Sequence, residues 1–104
     1  MTEDSSTPWF VLLHTPGPAV PAGEPVFAHP AFGEHMAFLQ RRLEAGELVA
    51  AGPLADGDGE GMTVLRVASL DEAERLARSD DQSVVQGALA VRVRPWLVRL
   101  EGSG

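Results

Sequence analysis

The sequence predicts an α+β domain in which four strands form one antiparallel sheet and two helices cover one of its faces. Three observations carry that prediction. Apolar residues at three- and four-residue spacing run through residues 31–45 and stop at a glycine, as an amphipathic helix does. A glycine-rich cluster, Asp56-Gly57-Asp58-Gly59-Glu60-Gly61, separates two short apolar runs in the manner of a hairpin connection. Ser69-Leu70-Asp71-Glu72 is a capping box, with Ser69 as N-cap and Glu72 reaching back, and it opens the second helix.

In chain order, residues 1–8 are polar and acidic and read as a tail ahead of a single domain over residues 9–100. Strand one is Trp9 to His14, apolar on both alternating sets of positions, so both of its faces call for burial. Thr15 to Pro30 holds five prolines and two glycines and reads as a long loop on an extended path, the kind of segment that often carries function. The first helix spans about Ala31 to Ala45, with Phe32, His35, Met36, Leu39 and Leu43 on one face and Arg41, Arg42 and Glu44 on the wet side. Gly46 sits at the left-handed C′ position that ends it. Leu48 to Ala51 forms strand two, closed by Gly52-Pro53, and Met62 to Val67 forms strand three. Helix two runs to about Ser79 with Leu70, Ala73, Leu76 and Ala77 inward, and residues 80–87 connect it onward with room for one helical turn. Strand four is expected from Ala88 to Leu100, with Leu89, Val91, Val93 and Leu97 alternating against Ala90, Arg92, Arg94, Trp96 and Val98.

The order β-α-β-β-α-β is the split βαβ pattern of a ferredoxin-like fold. With both helices on one face, the apolar second face of strand one lacks a cover, and a second copy of the chain supplies the simplest one. A homodimer through the open face of the sheet is therefore expected.

Composition removes several function classes. There is no cysteine, so thiol catalysis and thiolate metal sites are excluded. All eight basic residues are arginine, which excludes lysine Schiff-base chemistry. A formal charge of -7 with scattered arginines argues against a nucleic-acid partner. No run of about twenty apolar residues is present to span a membrane, and the polar start is unlike a secretory signal; the expectation is a cytoplasmic protein.

Five short motifs occur in order from about Trp9 to Trp96: Glu34-His35 at the start of a helix; Gly46 followed by Gly52-Pro53-Leu54; Gly59-Glu60-Gly61-Met62; Asp81-Gln82-Ser83-Val84-Val85-Gln86-Gly87; and Arg94-Pro95-Trp96. Together they resemble the YciI-like (YCII-related) family of the dimeric α+β barrel superfamily. Gln82 stands where that family commonly has proline. The resemblance implies a dimeric ferredoxin-like domain and a cofactor-independent lyase, isomerase or dehydrochlorinase type of chemistry on small molecules, carried by a His-Asp pair. It maps that pair onto His35 and Asp81. The alternative is a non-catalytic dimeric module that binds a small ligand or another protein.

Elementary chemistry makes the pair sensible. The two helices of a split βαβ sheet lie side by side, so the first can bring His35 near the turn holding Asp81. A carboxylate that accepts one imidazole N–H fixes the tautomer and leaves the other nitrogen for proton transfer. The competing reading of His35 is a core histidine bonded to a backbone carbonyl, and that of Asp81 a polar turn residue. His14 is a candidate substrate-binding residue of the same pocket, or else a strand-end histidine facing solvent. Arg94, on one strand face with Arg92, is a candidate for holding a substrate carboxylate, or else an edge or dimer-pairing arginine. No metal or cofactor is expected: no two of His14, His29 and His35 have the spacing of a helical metal site, and Asp56, Asp58 and Glu60 lack the remaining positions of a calcium loop. Ser83 lies outside any Gly-X-Ser-X-Gly elbow.

Overall fold

The seven regular elements are β1 (Trp9–Pro16), α1 (Phe32–Glu44), β2 (Leu48–Pro53), β3 (Gly61–Arg66), α2 (Leu70–Arg75), α3 (Gln82–Val85) and β4 (Leu89–Trp96). They come from a computed structural model that describes residues 8–102, so the expected tail lies outside the described residues except for Pro8. The sheet order is β2-β3-β1-β4 with every neighbouring pair antiparallel, the predicted ferredoxin-like arrangement. Apolar strand one thus occupies a central position, paired on both edges.

Local chemistry accounts for the element ends. Gly46 has φ 76° and closes α1 with two bonds, Gly46 N–H to Leu43 O and Glu47 N–H to Arg42 O, which satisfy carbonyls the helix would leave open. Ser69 Oγ accepts the Glu72 N–H at 3.1 Å. The other half of the expected capping box does not form: the Glu72 carboxylate turns to Arg75 instead, at 2.8 and 2.9 Å. After α2 the backbone widens into a π-helical turn, Leu76–Asp80, closed by Asp81 N–H to Leu76 O at 3.2 Å.

The core lies between the helices and one sheet face. Phe10 and Leu12 of β1 meet Leu65 and Val67, Phe38 of α1, and Ala73, Leu76 and Ala77 from the second helical segment. The buried stripe of α1 is rotated from the predicted one. His35 and Phe38 are buried, whereas Met36 and Leu43 are more than half exposed. Arg42, expected on the wet side, lies in this stripe with its guanidinium 5.8 Å from the Phe38 ring and 2.6 Å from Glu47, so its stem covers apolar surface while its charge is paired. Leu70 likewise stays partly exposed at the mouth of α2.

Two departures in the strands have physical causes. β4 ends at Trp96 rather than Leu100, because Trp96 pairs with Trp9, the first residue of β1, and Leu97 and Leu100 beyond it are exposed. In β2 the register slips between Leu48 and Ala50, leaving Val49 as a bulge. Since a one-residue shift exchanges strand faces, Ala51 and Pro53 now point to the helix side with Thr63 and Gly61. The opposite sheet face carries Trp9, Val11, Leu13, Arg92, Arg94 and Trp96, with the two tryptophan rings edge-to-face at 5.6 Å. No helix among the described residues is long and apolar enough to cross a membrane.

Candidate functional site

His35 sits on the first turns of α1, on the inward stripe, and is 8% exposed. Its Nδ1 lies 2.7 Å from Oδ2 of Asp81, which is fully buried. The second carboxylate oxygen is also occupied: Asp81 Oδ1 accepts the Ser83 N–H at 3.0 Å and the Ser83 O–H at 2.6 Å. Asp81 is thus the N-cap of α3, and the preceding π-helical turn sets where that cap emerges. Asp81 Oδ1 already accepts from two Ser83 donors, so the carboxylate accepts from His35 Nδ1–H through Oδ2, and Nε2 is the ring nitrogen left for proton transfer. Phe32 and Phe38 flank the ring, with centroids 5.9 and 6.2 Å away.

His14, at the helix-facing side of β1, packs edge-to-face on His35 with centroids 4.7 Å apart. It is 3% exposed, so the solvent-facing alternative is overturned: the register of β1 against β3 brings Thr63 Oγ1 to 3.1 Å from its Nε2. Its Nδ1 is buried and has no hydrogen-bond partner among the described residues. Burial pushes the His14 ring down from 6.5 to about 4, helped by neighbouring His35 and opposed by Asp81. The two adjacent histidines therefore differ in kind. One is backed by a carboxylate, and the other is held neutral.

Both rings line a cleft of about 610 Å³. One wall is α1, through Phe32, Met36 and Leu39; the facing wall is the β2–β3 hairpin, including Ala51 and Pro53 delivered by the bulge. The proline-rich loop closes one end with Val26 and Phe27 on a single 3₁₀ turn, Val26–Ala28. Gly59 at the hairpin tip has φ 81° and approaches Val26 so closely that a Cβ there would lie 3.3 Å from its side chain, which locks loop to hairpin.

The remaining sequence candidates fall elsewhere. Arg94 is exposed and pairs with Val11 on the opposite face of the sheet, so within one chain it does not reach this cleft; strand alternation puts it there together with Arg92. His29 accepts the Ala31 N–H at 3.0 Å and serves the loop. Asp58 and Glu60 edge the cleft from the hairpin. No three metal-ligating side chains gather at one point among the described residues. Sequence reasoning considered Ser83 only as a nucleophile; its observed place is as a double donor to Asp81, which the Asp-X-Ser spacing of an N-cap signals. Thr63 gave no signal, because its partnership with His14 depends on strand register.

A family model described as a YCII-related domain matches residues 9–97. Among curated proteins nothing matches the chain.

Proposed function

The chain belongs to the YCII-related family, and from that premise we propose that it is a cofactor-independent enzyme of lyase or isomerase type, in which His35 moves a proton and Asp81 orients it. The carrying observation is the 2.7 Å bond between His35 Nδ1 and a fully buried Asp81 at the wall of a cleft. In this reading His35 Nε2 takes a proton from carbon beside a carbonyl, and the C–H electron pair moves into an enolate. The imidazolium then returns the proton to a different carbon, giving isomerisation, or the enolate expels a leaving group such as chloride from the neighbouring carbon, giving elimination. Asp81 steadies the imidazolium between those steps and keeps the productive tautomer, while Ser83 fixes the carboxylate.

A proton-transfer enzyme leaves an isotopic trace. Incubated in D2O with a mixture of small ketones, lactones and chlorinated ring compounds, the wild-type chain is expected to add deuterium to, or remove hydrogen halide from, at least one component by mass spectrometry. His35→Gln should abolish that change with its thermal midpoint nearly unaltered. Exchange that survives in His35→Gln would overturn the reading.

We further propose that the chain works as a homodimer joined through the open sheet face. Support comes from Trp9, Val11, Leu13 and Trp96 gathered on a face that no helix covers among the described residues. Light scattering at micromolar concentration should then give twice the 11.0 kDa chain mass; a monomer mass would count against it.

A further inference from the structure

We propose that the cleft beside His35 takes an uncharged, largely apolar small molecule bearing a carbonyl or hydroxyl group, and that it turns away anions. The inference rests on the reading of His35 and Asp81 as the reacting pair, and adds the class of substrate.

Charge decides it. The chain has no lysine, and none of its arginines lines the cleft. Arg42 is turned to Glu47, and Arg92 and Arg94 lie on the far side of the sheet. Among the described residues, the charged side chains on the cleft walls are Asp58 and Glu60, both exposed and both of the sign that repels an anion. A carboxylate or phosphate entering here would lose water and meet neither arginine nor lysine, which makes its burial costly.

A cation fares little better. The one deeply buried carboxylate among the described residues, Asp81, has both oxygens committed, Oδ2 to His35 and Oδ1 to two donors of Ser83. Asp58 and Glu60 stay at the solvent edge and offer only a screened attraction. What remains is a neutral guest. Phe32, Met36, Leu39 and Pro53 supply apolar walls, and about 610 Å³ is room for one or two fused rings. The polar handle is His35, and His14 beside it lines the cleft as a ring held neutral by burial. A ligand hydroxyl or carbonyl can engage His35 without importing a charge.

Three probes on one ring system test this: 2-naphthol, 2-naphthoate and 2-naphthylmethylammonium, titrated into the full chain while the Met36 methyl and His35 ring resonances are followed by NMR. 2-Naphthol is expected to shift both signals and to bind about tenfold or more tighter than either charged analogue. Met36→Arg, at an exposed position on the cleft lip, should reverse the order in favour of 2-naphthoate. Naphthoate binding as well as naphthol in the wild type, or naphthol leaving both signals unmoved, overturns the proposal. Naphthol binding without deuterium exchange on any substrate would fault the catalytic reading and leave the ligand class standing. Exchange confined to anionic substrates would do the reverse.

Discussion

Asp81→Ala is expected to cost about 3–5 kcal/mol of folding stability, a large share of what a small domain possesses. The carboxylate is fully buried and accepts three bonds, from His35 Nδ1, Ser83 N–H and Ser83 O–H. Removing it strands all three donors away from water, and α3 loses its N-cap. Asp81→Asn should behave differently. Its amide oxygen can still accept from Ser83, so the fold should survive with a smaller loss. Its NH2 group, however, donates toward His35 Nδ1 and drives the ring hydrogen onto Nε2, the atom the proposed reaction needs free. Urea titration reads the first effect and imidazole ¹⁵N shifts read the second. An alanine variant within about 1 kcal/mol of wild type would show that the buried carboxylate is not a structural keystone.

Acid should weaken the fold through His14. In the unfolded chain the ring titrates at its ordinary 6.5, and in the folded chain at about 4, so between those values the unfolded state binds a proton that the folded state refuses. Stability is therefore full above pH 6.5, declines as the pH falls through the interval, and levels off below about 4. The gap between the two values sets the total at roughly 3 kcal/mol. His35 and Asp81 face the same ring, the former opposing and the latter favouring its protonation. His14→Phe removes the group and should flatten this part of the profile, measured by urea unfolding at pH 7, 5.5 and 4.5. Parallel profiles for the two proteins would assign the acid sensitivity to other groups.

Element order was readable because its punctuation is chemical and local. Gly46 at positive φ, the Ser69 cap and the glycine-rich hairpin each act through their own neighbours. Topology followed from that order, and topology is what brings α1 beside the turn after α2, with His35 and Asp81 within a hydrogen bond. What could not be read were properties set across the sheet. Phe38 displaces Met36 and Leu43 from the core because the sheet lies to one side of the α1 stripe, and a helical wheel does not say which side. His14 is buried through Thr63, a contact fixed by register. The bulge at Val49 inserts one unpaired residue and so turns Ala51 and Pro53 into the cleft; nothing in Leu48-Val49-Ala50 announces it. Arg94 carries the charge suited to a carboxylate, but alternation along β4 sends it to the other face.

His35 and Asp81 are 46 residues apart, and His14 and Thr63 are 49. Each pair joins the first β-α-β half of the chain to the second, so neither exists within a half on its own. Contacts of that sequence separation are reached only after a long loop has been closed, whereas helices and hairpins arise from neighbours. The base is thus a product of tertiary assembly. A chain that has formed every helix and strand, with its halves still apart, carries two ordinary side chains and no site for proton transfer.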